Sequence, residues 1–375
     1  MEMIKISKKN LLKFPVAFER DYSLNGRRAK HALDVGLASA DWYHTDIPRK
    51  TIKALMRRSD RPALIDTAIW FGLLLLTGLG GVAFWGQWWA VPFFAAYGVL
   101  YGSASDSRWH ECGHGTAFKT DWMNNIIYHI ASFMVIRNPI SWRWSHARHH
   151  TDTIIVGRDP EINLTRPPKI IEAALRFIGI LSGPKSLQIM FRNGVGFMTE
   201  DELNYIPSSE VSKVVLWARV HLSMYILTVL MCIVLWSVIP LMLVGFPRLY
   251  GCWHMVMLGL LQHGGLEEDV TDHRLNSRTL YINPISRWLY WNMNYHVEHH
   301  MFPMVPYHSL PRLHDLIKHD LPKPNSSISE AYRELFFALW HQRVDSDFCI
   351  QKKLPSTAKP FRKEFHDLKF TETLN

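Results

Sequence analysis

The sequence predicts an all-α integral membrane protein with four transmembrane helices in two hairpins. Three observations predict it. Two blocks of the chain are apolar over lengths that suit a pair of bilayer crossings each. Eight of the 20 histidines fall into three tight groups, all outside those blocks. Lysine and arginine gather beside the apolar stretches, as they do on the cytoplasmic flanks of membrane spans. The bulk composition agrees. Of 375 residues 48% are apolar, and 15 tryptophans are more than a soluble domain usually carries; Trp and Tyr favour the membrane–water interface. The net charge of +9 is therefore assigned to membrane flanks and not to nucleic-acid binding.

Residues 1–65 read as a basic, amphipathic cytoplasmic segment. Within it, Arg49, Lys50, Lys53, Arg57, Arg58 and Arg61 mark a solvated helix face or a helix lying on anionic lipid. The first residues carry charge but no apolar core of signal-peptide length, so the chain is expected to enter the membrane through its own first span. From Thr67 to Ser105, 39 residues contain no Asp, Glu, Lys, Arg or His. A helix needs about 20 residues to cross a bilayer. This block therefore reads as spans over 67–85 and 88–108, turning at the interfacial tryptophans of FWGQWW. Residues 109–213 are mixed, and the stretch 164–181 has helical apolar spacing that places it on the interface.

The second block supplies spans over 214–236 and 238–262. Arg219 suits a cytoplasmic entry, but Arg248 falls inside the fourth span, where an arginine is costly unless paired or reaching the surface. Beyond Gly264 no stretch could cross. The membrane domain is thus 66–320, its extramembrane parts being 109–213 and 263–320, and 321–375 is a cytoplasmic C-terminal tail. Two hairpins return the chain to its starting side. Both termini and every histidine group then share one face, which the basic cluster at 49–61 marks as cytoplasmic.

The histidine groups are His110/His114 in HECGH, His146/His149/His150 in WSHARHH, and His296/His299/His300 in NYHVEHH. On a helix, positions i, i+3 and i+4 share a face, with Cβ atoms about 5–6 Å apart. Each group is expected to point several imidazoles at one locus. Neutral imidazole is a good ligand for iron, zinc or copper, whereas crowded imidazolium ions repel. Metal binding follows. A zinc site needs three or four protein ligands; eight histidines, with His263 as a ninth where the fourth span ends, suit two metals. His254 and His273 are alternatives for the ninth position. Paired metals fed by imidazole point to iron acting on dioxygen. Carboxylate di-iron proteins use two E-x-x-H motifs, and only Glu111-x-x-His114 matches among these groups. Four scattered cysteines, with no C-x-x-C pair, disfavour a disulfide framework, a zinc ribbon and a rubredoxin-like iron site.

Asp106, four residues before His110, is a candidate to accept the far N–H of a ligand ring, a contact that fixes ring orientation. Asp152, Asp159 and Asp272 are further candidates. Trp142 and Trp144 suit either a substrate entry or an interfacial belt. His129, His221, His308 and His314 read as ordinary histidines.

HECGHGTAF, HARHHTDT and NYHVEHHMFPMVPYHSLPRLH resemble the three histidine boxes of the membrane fatty acid desaturase superfamily in order, spacing and placement after each hairpin. The likeness covers about residues 65–320. The resemblance implies four spans topped by a cytoplasmic helical cap that holds two Fe2+ ions. It implies that the second and fourth spans run past the bilayer to carry ligands, which suits His110, His114 and His263. It also implies a C–H oxidation using O2 as co-substrate and two electrons, usually desaturating an acyl chain; some relatives hydroxylate a lipid or small amphiphile instead. The sequence carries no H-P-G-G haem motif, no C-x-x-C and no G-x-G-x-x-G. Electrons are therefore expected from an external carrier: a ferredoxin, a rubredoxin or a cytochrome b5-type donor. The absence of an ER-retention tail and of a fused cytochrome points to a bacterial inner membrane. The acyl chain is expected on a membrane lipid, an acyl carrier protein, coenzyme A or a small amphiphile.

Two rivals fit less of the chain. An intramembrane zinc metalloprotease built on H-E-x-x-H would use His110, Glu111, His114 and one further ligand, leaving six histidines unexplained. A metal transporter would place its ligands within the membrane, and these groups lie outside the apolar runs.

Overall fold

The computed structural model describes residues 19–177, 179, 181–362 and 364–365. The start of the basic N-terminal segment and the end of the C-terminal tail lie outside the described residues. Among the described residues the regular structure is helical, apart from two isolated bridges, Thr279–Tyr295 and Leu280–Asn325.

α1 (Arg27–Asp34) and α2 (Arg49–Leu55) precede the long α3 (Asp60–Ala83). α3 buries Ala63, Thr67, Trp70, Leu74, Gly78 and Gly81 at steps of three and four residues. Its other side is equally apolar and faces outward, with Leu75, Leu76 and Leu79 61–64% exposed. A helix apolar all round needs an apolar surround on both sides. The segments Arg49–Ala83 and Ser208–Val234 are the two helical stretches among the described residues long and apolar enough to cross a membrane.

The chain turns at 84–89 and returns as α4 (Ala90–Gly102) and α5 (Ala104–Gly113). α3 and α4 approach closely because Gly81 lacks a side chain; a Cβ there would stand 2.9 Å from the Phe94 ring. α4 and α5 form one rod interrupted at Ser103, whose hydroxyl donates to the Gly251 carbonyl (2.6 Å) and accepts from the Met255 N–H (3.0 Å). The rod ends in the first histidine group. α6 (Asp121–Met134) then leads to α7 (Pro139–Thr151), which carries the second group. Asn138 caps α7 by accepting from the N–H groups of Ile140 (3.1 Å) and Ser141 (3.3 Å), with Pro139 in the first helical position.

α8 (Ile170–Phe177), α9 (Ser182–Gly194) and α10 (Glu200–Tyr205) precede α11 (Val211–Val234). The return from α11 differs from the continuous helix expected over 238–262. It is built as α12 (Ile239–Leu243), α13 (Pro247–Tyr250) and α14 (Trp253–His263). Gly245 sits at φ 93°, Pro247 starts α13, and Gly251 presses on the backbone of Gly98, where no side chain fits. The break accommodates Arg248. Its side chain is 4% exposed and donates Nε–H to the Val135 carbonyl at 3.2 Å, so protein and not lipid surrounds it.

α15 (His273–Asn276), α16 (Pro284–Leu289), α17 (His296–Met301), α18 (Leu310–Ile317) and α19 (Ile328–His341) are the remaining α-helices among the described residues. α17 and α18 bury Val297, Met301, Leu310 and Leu313 in one core with Leu258 of α14. α5, α7, α14 and α17 thereby meet at their histidine-bearing ends.

Candidate metal centre

All nine histidines selected from the sequence meet, and they meet in two groups. His110, His114, His146, His150 and His299 form one; His149, His263, His296 and His300 form the other. Within each, one nitrogen per ring lies within 4.8 Å of every other. The groups adjoin, the His150 and His300 ring centroids being 4.5 Å apart with their planes inclined by 27°.

The boxes are shared between the groups, which corrects the expectation that each box serves one locus. His146 and His150 of α7 join the first group while His149 joins the second. His296 and His300 of α17 join the second while His299 joins the first. Helical geometry explains this. Consecutive residues turn by about 100°, so the i+3 and i+4 side chains diverge on either side of residue i. Each H-x-x-H-H box therefore contributes a pair to one group and a single ring to the other.

The nitrogens converge at distances suited to a shared ion. Nε2 of His114 is 3.1 Å from Nε2 of His146, and Nε2 of His299 is 3.2 Å from Nε2 of His150. In the second group, Nε2 of His296 is 3.0 Å from Nε2 of both His263 and His300. Two nitrogens bound to one ion at about 2.0–2.1 Å stand about 3.0 Å apart at right angles and about 3.4 Å apart in a tetrahedron.

The opposite ring nitrogens are held from outside. Nδ1 of His146 meets Glu161 at 3.1 Å, and Ser145 donates to the other oxygen of Glu161 at 2.9 Å. Nδ1 of His149 meets Asp159 at 2.8 Å, and Nδ1 of His300 meets the Thr153 hydroxyl at 3.2 Å. His263 directs Nδ1 to the backbone carbonyl of Asn276 at 2.8 Å. Such contacts fix the tautomer, leaving the Nε2 lone pair directed inward.

Electrostatics favours neutral rings. Burial, and then neighbouring imidazoles, push His110, His150, His296, His299 and His300 well below the usual histidine range. His149 is the exception. Burial is its largest influence and pulls it down, but the charge and hydrogen bond of Asp159, with the charge of Glu161, outweigh that and raise it. Glu161 is held down at about 2: burial opposes ionisation, and the charge and hydrogen bond of His146, with His149 and Ser145, overcome it.

The residues fit a pair of metal ions. Both ring nitrogens of buried His110 have no hydrogen-bond partner, which costs about 1–3 kcal/mol per group unless something accepts the lone pair. Neutral imidazoles facing one another Nε2 to Nε2 share the same need. A cation at each focus answers it, and an all-nitrogen set suits iron, zinc or copper.

Several expectations about neighbouring residues are corrected. Asp106 is ion-paired with Arg137 and does not hold His110. Asp152 pairs with Arg158 (3.1 Å) and Asp272 with Arg274 (2.8 Å), so neither touches a clustered ring. Asp159 does. Glu161, Thr153 and the Asn276 carbonyl were missed; the acid pair of RDPEINL just past the second box was the available cue for Glu161. His254 bonds Ser286 at 3.1 Å, and His273 stacks on Trp42 at 4.2 Å; neither joins a group. Trp142 meets Trp109 edge-on at 5.6 Å, behind His110 and His146, whereas Trp144 is 38% exposed. Glu111 belongs to neither group. Its Oε1 accepts from Thr116 (2.6 Å) and from the Tyr307 N–H (3.0 Å), and its Oε2 is buried without a partner, so neither oxygen is bonded to a clustered ring. A peptidase base would have to reach a metal-bound water.

Fold and site define a helical protein with long apolar helices and two adjoining histidine clusters whose geometry fits metal ions. The chain belongs to the fatty acid desaturase family, whose profile matches residues 86–332, about two thirds of its length. It is 24% identical over 270 residues to a chloroplastic omega-3 fatty acid desaturase of Sesamum indicum, covering 65% of this chain and 58% of that protein. It is 25% identical over 258 residues to a probable fatty acid desaturase of Sorghum bicolor, covering 61% of this chain and 62% of that protein. Fatty acid desaturase 3 of Homo sapiens is 24% identical over 236 residues, 56% of this chain and 50% of that protein. The chain thus spans about half to three fifths of the length of these three relatives.

Proposed function

We propose that the protein is an O2-dependent membrane oxidoreductase that introduces a double bond into an acyl chain. Its two groups of five and four histidines would each hold one Fe2+ ion. α3 and α11, with their return arms, would be the two hairpins, and the histidine-bearing helix ends the cytoplasmic cap. The observation that carries the reading is the division of nine buried or half-buried imidazoles into two adjoining groups, with one nitrogen of each ring converging on a common focus. The family membership and the relatives' names support the choice of reaction.

Bound iron would supply the oxidising power that removes hydrogen from an unactivated C–H group, using O2 and two electrons. The chain's own residues do the rest. Glu161, Asp159, Thr153 and the Asn276 carbonyl hold the outer N–H of His146, His149, His300 and His263, so the lone pairs are positioned before any ligand arrives. Trp109 lies against the His146 ring at 5.5 Å and keeps bulk water from the first group. Electrons would come from a separate ferredoxin, rubredoxin or cytochrome b5-type carrier.

The test is acyl-chain profiling by gas chromatography and mass spectrometry of cells carrying the gene, the gene with His149→Ala, or neither. A new unsaturated chain present with the intact gene alone is expected. A hydroxylated product would move the protein to hydroxylation with the same site. No change in any acyl chain across a range of hosts and redox partners would contradict the reading.

A further inference from the structure

α19 lies in the part of the chain read as a cytoplasmic tail, yet its outer face is aromatic. Ala331, Leu335 and Leu339 are buried against Leu261 near the end of α14. On the opposite side Phe336, Phe337 and Trp340 are 63%, 55% and 65% exposed, and Val344, one turn on, is 48% exposed. Arg333 and Arg343 flank this face, and the Arg343 guanidinium lies 4.6 Å over the Trp340 ring. Indole and guanidinium side by side above aromatic rings is the composition of a bilayer interface. There the ring sits at headgroup level and the cation reaches phosphate.

The neighbours of α19 indicate what covers it. It rests on α14, where the Tyr332 hydroxyl donates to the Met257 carbonyl at 2.8 Å, and α14 itself exposes Trp253 at 42%. The other arm of the same hairpin repeats the arrangement. α9 packs along α11, with Arg219 donating to the Gly194 carbonyl at 2.8 Å. It exposes Leu187 and Phe191, and Val195 just past its end continues the four-residue step, at 39%, 62% and 63%. Both stripes therefore stand beside helices of one apolar hairpin and continue the surface that α11 presents through Ile226 and Ile233, 59% and 60% exposed. A bilayer covers all of these at once.

We propose that α19 is an interfacial membrane helix, with Phe336, Phe337 and Trp340 seated at the headgroup–acyl boundary of the bilayer that α11 crosses. This rests on the reading of α11 as a span. It links the membrane to the metal centre, because α19 backs the turn that follows His263. A Cβ on Gly265 would meet the Ala338 Cβ at 2.6 Å, and Ile350 N–H bonds the Gly265 carbonyl at 2.9 Å. Lipid that seats α19 thereby also braces the end of α14.

The test is nitroxide accessibility by electron paramagnetic resonance. The protein is placed in nanodiscs of equal phosphatidylcholine and phosphatidylglycerol, with O2 and a nickel chelate as probes. Cys112 and Cys252, 1% and 0% exposed, stay in place. Cys232→Ser and Cys349→Ser are common to all samples. Labels at Phe336→Cys and Trp340→Cys are expected to favour O2, about 5–10 Å inside the headgroup boundary. A label at Ile226→Cys, near the middle of α11 and on its exposed side, should lie deeper, and one at Asp315→Cys, on a side chain 72% exposed, in water. Val344→Cys leaves all three aromatic residues intact and should report the same shallow depth should either single replacement loosen the helix. Labels on α19 as open to nickel as the one at 315, with 226 deep in lipid, would overturn the proposal and leave the span reading standing. Labels on α19 shielded from both probes would assign the face to another protein surface and overturn it too. A label at 226 in water would overturn both readings.

Discussion

Replacing Glu161 separates the two metal sites. Glu161 touches a single clustered ring, His146, and His146 belongs to the five-histidine group alone. Glu161→Gln keeps an oxygen to accept the Nδ1 proton but removes the charge. Glu161→Leu removes both and leaves a buried N–H without a partner, a deficit of about 1–3 kcal/mol. Since about 1.4 kcal/mol is tenfold in affinity, the leucine variant should weaken the first site about 10- to 100-fold, in line with the usual effect of losing a carboxylate behind a ligating histidine. The glutamine variant should fall between it and the parent. The second site keeps all its hydrogen bonds and loses only the smaller influence of the Glu161 charge on His149. Iron content measured during stepwise competition with a chelator should then resolve two phases, with only the tighter or the weaker one displaced by the substitution. Asp159→Asn should displace the other phase, through His149. Equal loss from both phases, or no change with either variant, would refute the claim that these carboxylates act on separate sites.

Other substitutions test the remaining assignments. Glu111, raised to about 7 chiefly by burial, is protonated in the fold when the unfolded chain has released its proton. Stability should therefore fall as pH rises from about 4.5 to 7, by up to about 3 kcal/mol, and level off above. Glu111→Gln should flatten that slope in thermal melts and retain iron; loss of iron or of acyl-chain oxidation on this change alone would favour a direct role. His263→Ala should remove iron from the four-histidine group, whereas His254→Ala should spare both irons and cost about 1 kcal/mol through its lost bond to Ser286. Elemental analysis distinguishes these outcomes. Gly251→Ala should prevent folding, because its side chain would occupy the backbone of Gly98; a folded, iron-loaded variant would contradict the packing of the broken arm.

The histidine positions were legible because helical spacing is local: H-x-x-x-H and H-x-x-H-H put rings on one side of a helix whatever follows. Their partition into two groups was not: the turn that separates i+3 from i+4 is local, but which distant rings complete each group depends on how the four helices meet. The run of 39 uncharged residues announced the first hairpin. The second return arm was obscured by Arg248, whose burial depends on the Val135 carbonyl, far away in sequence. Asp106 looked well placed for His110 on helical spacing, but Arg137 claims it, and no local rule names that competitor. Glu161 was overlooked because it approaches His146 through a turn, where no periodicity holds.

The most direct test of the central claim is the metal content of protein purified under reducing, low-oxygen conditions, with X-ray absorption at the metal edge. The account predicts two irons per chain, each with several imidazole nitrogens and no sulfur, and an iron signal lost with His149→Ala and His299→Ala together. A single zinc per chain, or iron ligated by cysteine, would contradict it.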